Sequence, residues 1–522
     1  MKNVKQIFAG LLPVAYGLLL SACSSNTDFA EQQSVVKKIP YVVTVGGNDG
    51  VTRSEAIDMD DAESVTRANI DDDLKTLLFS TGDRLYVEGT DISGVLELTE
   101  GEGTASATFS GELNYTGSGT PADNLELTAT LVGTMNENLK LTQNDVTGGW
   151  TLTDNGYGSA VIGNTAAVAV SKTVPLYSKL VGTGTYSGHT FQLKQQTAFL
   201  NFAISLDDGT VGPTNSLVGL SGVGEEAHFG IVNCWPANSE NNSLDKPALY
   251  FCVPVAAGTT LSDAKVFVND NGGIAFGAGV TLKGKVYNVS KTSTGSDNTS
   301  IEYIDLGLSV RWCNMNQSAG RVSGYGNFFY WGSTTLGQSQ FTQAKDAHYD
   351  TTTSSYKKYN ATDGKTVLDD EDNIIRKYQS TCDMPTTDQL TELKNGCVWA
   401  LIQNYKGKNR VGYMAMSKQP GHVGTAIFFP CAGYKIGPTV NNQNNAETPC
   451  IQIWTKNLGS DITKAWHSDS QYSEDYYLFA TELRSRSDGL PVRGVCALGV
   501  TQPTQPSTTA AGLDNPSGDI AL

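Results

Sequence analysis

Histidine is scarce in this chain: five in 522 residues, at His189, His228, His348, His422 and His467. None stands in an HExxH pair, and none has an obvious Ser or Cys partner in sequence, so zinc-peptidase and triad chemistry lack their usual motifs. Phosphate loops and dinucleotide glycine fingerprints are absent as well. Basic residues are outnumbered, 36 Lys and Arg against 53 Asp and Glu, for a formal net charge of −17. Phosphate binding needs clustered cations, so nucleic acid is not an expected partner. Charged residues make up only 17% of the chain, while glycine is abundant at 55. That balance favours strands and turns over helix bundles. Beyond the first 22 residues no apolar run is long enough to span a bilayer. A chain of this length exceeds one core, and roughly two to four domains are expected.

What is present begins with an address. Lys2 and Lys5 precede the apolar run "IFAGLLPVAYGLLL" (7–20), too short for a comfortable span and laid out as a signal peptide. It ends in Leu20-Ser21-Ala22-Cys23, small residues before a cysteine, similar to a bacterial lipobox. That resemblance implies removal of residues 1–22, lipidation of Cys23 by groups such as palmitate, and a lipid anchor at the outer membrane surface. The other reading is an ordinary signal peptide with an incidental cysteine. Eight cysteines remain: Cys234 and Cys252 early, then Cys313, Cys382, Cys397, Cys431, Cys450 and Cys496. Both groups are even, as pairing within each region of an exported protein requires. Buried unpaired thiols are the alternative.

Along the chain, "IPYVVTVGG" (39–47) is a short β-prone run closed by a glycine pair. An acidic, helix-poor stretch follows, with Arg53 and Arg67 set among Glu55, Asp58, Asp60, Asp61, Glu63 and Asp71–Asp73. From Leu77, short alternating runs such as "GDRLYVEG" and "NLELTATLVG" suggest a β-sandwich over 68–185. A second sandwich is expected over 186–290. Its strand "TAFLNFAISLDDG" puts Ala198, Leu200, Phe202, Ile204 and Leu206 on one face and leaves the other polar, which predicts a half-buried strand. "KTSTGSDNTS" (291–300) reads as a polar linker. Residues 301–498 differ, holding five of the seven tryptophans. They also hold a helix start at Thr386 and Gln389, with capping-box spacing and Gly396 placed as a C-cap. Residues 499–522, rich in Pro, Thr, Ser and Gly, read as a disordered tail without strand alternation.

Two family resemblances cover most of the chain. The lipobox, the strand at 39–47, Thr66-Arg67-Ala68, "GDRLYV" (82–87), the strand at 197–206 and "LKGKVYNV" (282–289) resemble, in that order, the fimbrillin-like pilus subunits of Bacteroides-type bacteria. The resemblance implies two tandem β-sandwich domains of pilin type, transthyretin-like. It also implies cleavage by an arginine-directed protease, loss of the propeptide with its first strand (23–67), and insertion of a donor strand from the next subunit. An arginine in an exposed acidic linker suits such a protease. Cleavage between Arg67 and Ala68 is the first candidate, Arg53 the second, and two incidental arginines the bland reading.

The blocks "EYIDLGLSVRWCNMN" (302–316), "YGNFFYWGSTT" (325–335), "DGKTVLDDEDN" (363–373), "DMPTTDQLTEL" (383–393), "IFFPCAGY" (427–434) and "GLPVRGV" (489–495) resemble the Fibrobacter major paralogous (FISUMP) domain. That implies an α+β, C-type-lectin-like fold in which the first and last strands pair, here "YIDLGL" with "LPVRGV", and loops display a binding surface. Asp383, where an arginine is commoner, and the loose block 451–457 depart from the pattern.

The same superfold hosts enzymes with reactive cysteines, which draws attention to Cys431; a structural cysteine is the favoured reading. Asp363, Asp369, Asp370, Glu371 and Asp372 could gather oxygens for calcium, yet EF-hand and lectin signatures are missing and a solvated acidic loop is favoured. No cofactor, metal or catalytic residue is therefore expected. Trp331, Trp454 and Trp466 are the candidate ligand-binding residues, since indoles stack on sugars and fill partner pockets. The expectation is a mainly β, non-enzymatic, adhesive subunit at a fimbrium tip. Its partners would be other fimbrial subunits, and glycan or protein on a host or bacterial surface. The alternative is a surface lipoprotein that binds glycan without pilus assembly.

Overall fold

A computed structural model describes residues 36–46, 55–56, 79–104, 106–144, 147–164, 169–471 and 478–500. Cys23, Arg53, Arg67, Ala68 and the tail from residue 501 lie outside the described residues. The chain is mainly β, with short strands gathered into several sheets and few, short helices. No helix among the described residues is long and apolar enough to cross a membrane.

The first sheet has eight strands, in the spatial order Thr190–Gln192, Lys37–Gly46, Ala107–Tyr115, Ile92–Glu100, Arg84–Gly89, Glu126–Val132, Leu180–Thr185 and Lys194–Gln195. Side chains two apart share a face, so the alternating apolar positions Leu85, Val87, Leu96, Phe109, Leu113, Leu127 and Ala129 gather into one core. The sheet curls until its two ends approach. Gly182 and Gly184 permit this: a Cβ on Gly182 would lie 2.6 Å from the Gln192 carbonyl oxygen, and one on Gly184 2.7 Å from that of Thr190. The first sheet thus continues to Gln195, past the break expected at 185.

The second sheet is built on Thr197–Asp207, which pairs antiparallel with Ala248–Ala256 and parallel with Val286–Thr294. Ala198, Leu200, Phe202, Ile204 and Leu206 are buried on one face, as their alternation demands. The opposite face is less open than the sequence suggests. Helix Ala169–Tyr177 lies over it and buries Phe199, Cys252 and Val286. That arrangement rules out the early cysteine pair: Cys234 faces the main core, Cys252 faces the helix, and both are free thiols.

The third unit is α+β. Val310–Asn316 pairs with the last strand, Arg493–Ala497, and on its other side with the short Tyr303–Ile304. The expected direct pairing of 303–308 with 490–495 is therefore corrected: the chain turns back at Gly307 (φ +70°), so the second strand, not the first, meets the last. Cys382 and Cys496, opposite one another on paired strands, form a disulfide across 114 residues. Helix Thr387–Gly396 starts at the full capping box of Thr386 and Gln389 and buries Leu390 and Leu393. Its C-cap is the extended Cys397, with Gly396 the last helical residue.

The stretch 291–300 is not a loose linker. Val286–Thr294 stays in the second sheet through residue 294, and the Asp297 carboxylate accepts from the Ser323 N–H at 3.0 Å and hydroxyl at 2.6 Å. The second and third units also share a core. Leu217 belongs to the third unit's main cluster, and Phe229 and Phe267 pack against it. Gly424 has φ +85°, and a Cβ there would lie 2.1 Å from Cγ of Phe267. Beside this contact the buried Lys406 ammonium meets Asp270 at 2.9 Å and donates to the Ser296 carbonyl at 2.9 Å, while the Tyr405 hydroxyl donates to Asp270 at 2.6 Å.

Candidate functional site

The strand Lys37–Gly46 occupies a slot between Ala107–Tyr115 and Thr190–Gln192. On one side it runs antiparallel in an unbroken register from Lys37↔Tyr115 to Val45↔Ala107. On the other it runs parallel, Thr44 to Gly46 against Thr190 to Gln192. Its alternation decides what it buries. Tyr41, Val43 and Val45 point into the core, while Val42 stays 53% exposed. Burying three side chains of this size stabilises by about 1.5–3 kcal/mol each.

Around Tyr41 the slot is lined by rings. The Tyr41 ring stacks on Tyr186 at 5.4 Å and lies 4.7 Å from the His189 ring. Its hydroxyl donates to the Tyr186 carbonyl at 2.7 Å, and burial, helped by Tyr186, pushes its pKa up to about 12. The Thr44 N–H donates to the His189 carbonyl at 3.0 Å. At the surface, Lys38 and Glu112 form an ion pair at 3.2 Å with both partners mostly exposed, which contributes little. A strand held this way depends on an alternating apolar pattern and a backbone ladder, both of which a second peptide can supply.

The tryptophans separate. Trp331 and Trp454 are fully buried, and their ring N–H groups donate to the carbonyls of Thr455 and Phe329, each at 2.8 Å. The expectation that they face a ligand is corrected: they fill the third unit's core, where a satisfied indole provides volume without an unpaired donor. Trp466 is half-buried on strand Lys464–Gln471, opposite Leu483.

The acidic loop closes on a lysine. Ligand oxygens of Asp369, Glu371 and Asp372 lie within 4.8 Å of one another. The Lys358 ammonium sits among them, at 2.7, 2.6 and 2.6 Å respectively. Its pKa is raised because these hydrogen bonds outweigh its desolvation. The cluster thus already holds a cation of its own. Cys431 is fully buried, and burial drives its thiol pKa upward, away from a nucleophile's range.

Several partners escape sequence reading. Arg486 is fully buried, stacked on Tyr356 at 3.9 Å and donating to the carbonyls of Lys358, Tyr359 and Ile462. Arg493 is fully buried as well, with Asn316 and the carbonyls of Cys313 and Phe428 as acceptors, and burial lowers its pKa to about 10. No local signal marks either arginine, because the acceptors each one finds lie far away in sequence.

No family model matches the chain, and no curated protein matches it. Solved structures do. One, from Bacteroides fragilis and provisionally named for cell adhesion, is 13% identical, with 48% of this chain and 92% of that one covered at a TM-score of 0.21. Another so named, from Bacteroides uniformis, is 10% identical, with 48% and 93% covered at 0.23. The tip fimbrial protein Mfa3 of Porphyromonas gingivalis, truncated at its C-terminus, is 10% identical, with 46% and 80% covered at 0.19. Likenesses this loose assign neither shape nor role, and strand register and burial carry the reading instead.

Proposed function

We propose that this protein is an adhesive subunit of a cell-surface fimbrium, at its tip, anchored during export through lipid on Cys23. In this reading a protease cuts after Arg67, or after Arg53, and the strand Lys37–Gly46 departs. A donor strand from a neighbouring subunit then enters the slot. The observation that carries the reading is the strand's place: inside the sheet, paired on both sides, and ahead of both arginines in the chain. Its departure would bare the ladder groups of 107–115 and the apolar trough under Tyr41, Val43 and Val45. A bare edge of that kind recruits another strand.

The third unit, lectin-like by its sequence blocks, is the adhesive part, and the protein is not an enzyme. Its close docking on the second sheet suits a terminal position, since it covers that end with a globular body. Trp466 is the candidate contact for glycan or protein. The test is intact mass and N-terminal sequencing of protein from sheared surface filaments. A start at Ala68 or Ser54 supports strand removal. A start at lipidated Cys23, with the protein absent from filaments, overturns the pilus reading in favour of a glycan-binding surface lipoprotein.

A further inference from the structure

We propose that Cys431 and Cys450 form a second disulfide in the exported protein, closing the base of the loop that carries the hairpin Tyr434–Ile436 and Thr439–Asn441. The two cysteines stand at the ends of this loop, and both are buried. Cys450 acts on the Cys431 thiol through both its backbone and its own sulfur, which places the two residues side by side. Cys431 is held both from outside the loop and from within it, and the residue just past Cys450 is held in the same core. The Cys431 N–H donates to the Val411 carbonyl, its own carbonyl accepts from the Asn444 N–H, and Ile451 packs in one cluster with Cys431. A disulfide needs Cα atoms about 4.4–6.8 Å apart with side chains facing, a range open to residues placed side by side. Cys234 and Cys252, by contrast, face opposite sides of their sheet.

The bond belongs to the folding stage. In the folded chain burial pushes the Cys450 thiol up to about 12 and Cys431 upward as well, so neither is a thiolate at neutral pH. While the loop is still open, one cysteine thiolate attacks a disulfide oxidant of the thiol–disulfide exchange class and forms a mixed disulfide. The second thiolate displaces it, and the oxidant leaves as a dithiol carrying the two electrons and the two protons of the cysteine pair. This step rests on the export assigned under the proposed function. Its consequence is a pinned hairpin whose Ile436 (52% exposed) and Val440 (37%) are held out to solvent.

The test is non-reducing peptide mapping of the full chain taken from the cell envelope, alkylated at lysis. The expected result is a Cys431–Cys450 linked peptide beside the Cys382–Cys496 one, leaving four alkylated cysteines among the eight rather than six. Cys431 and Cys450 alkylated while Cys382–Cys496 stays linked overturns the proposal. Both pairs alkylated overturns the export reading and the second bond with it. As a second measurement, Cys450→Ser should add Cys431 to the alkylated set, leave Cys382–Cys496 linked, and speed tryptic cleavage after Lys435 several-fold. Unchanged cleavage would count against a pinned loop.

Discussion

The strand Lys37–Gly46 at one end of the described chain and the strand Arg493–Ala497 at the other are held by different physics. The first lies in its slot by ladder hydrogen bonds and three buried side chains, with its one surface ion pair mostly in solvent. The last is joined by a disulfide to Cys382 and carries Arg493, buried whole, with acceptors on Asn316, Cys313 and Phe428. A strand secured mainly by alternation and a backbone ladder, with one aromatic contact at Tyr41, could be replaced by a strand that matches that pattern. A strand secured by a covalent link and a buried guanidinium cannot, because its replacement would have to reproduce both. How a strand is bonded thus bears on whether another strand could take its place, and this chain holds strands bonded in both ways.

The largest expected effect breaks the first strand. Val43→Asp places a carboxylate in the first core and should cost more than about 4 kcal/mol. Hydrogen exchange at 107–115 should accelerate while exchange at 412–417 in the third unit stays unchanged; equal acceleration in both would show that the first sheet is not an independent unit.

A pH titration sharpens the other side. Burial lowers the pKa of His467 from 6.5 to about 4. Protonation therefore favours the unfolded chain. Stability from this group is complete above pH 6.5 and is lost as pH falls from 6.5 through 4, by roughly 3 kcal/mol in all. His467→Gln should flatten that slope for the third unit; an unchanged slope would assign the acid loss to other groups.

Lys406→Met tests whether the second and third units behave as one. It leaves Asp270 with only the Tyr405 hydroxyl of the pair's donors and should cost about 2–3 kcal/mol. Exchange at 248–256 and at 412–417 should rise together; a rise confined to 412–417 would make the third unit a separately folding body. The smallest effect on stability is expected from Trp466→Ala, about 1–2 kcal/mol for a half-buried ring. Binding on a glycan array should fall with it, and unchanged binding would remove Trp466 from the contact surface.

Local rules were readable in advance wherever they act over a few residues. The alternation of 198–206 marked a strand and its inward face, the short run at 39–47 marked the first strand, and Thr386 with Gln389 marked a helix start; all three stand in the structure. Helix Ala169–Tyr177 was not legible, since Val170, Thr173, Val174 and Pro175 argue against a helix and packing on Phe199 overrides them.

By itself, then, the sequence determined a mainly β chain, because two-residue periodicity, glycine turns and a low charge content are properties of neighbours. Tertiary structure alone decided that Trp331 and Trp454 are core, that Lys358 answers the acids of its loop, and that Cys382 finds Cys496. It also decided that Gly182 and Gly184 let a sheet close, and that a polar stretch at 291–300 is pinned in place. Each of these depends on which distant residue arrives at a given face, and no pattern within a few residues encodes that arrival.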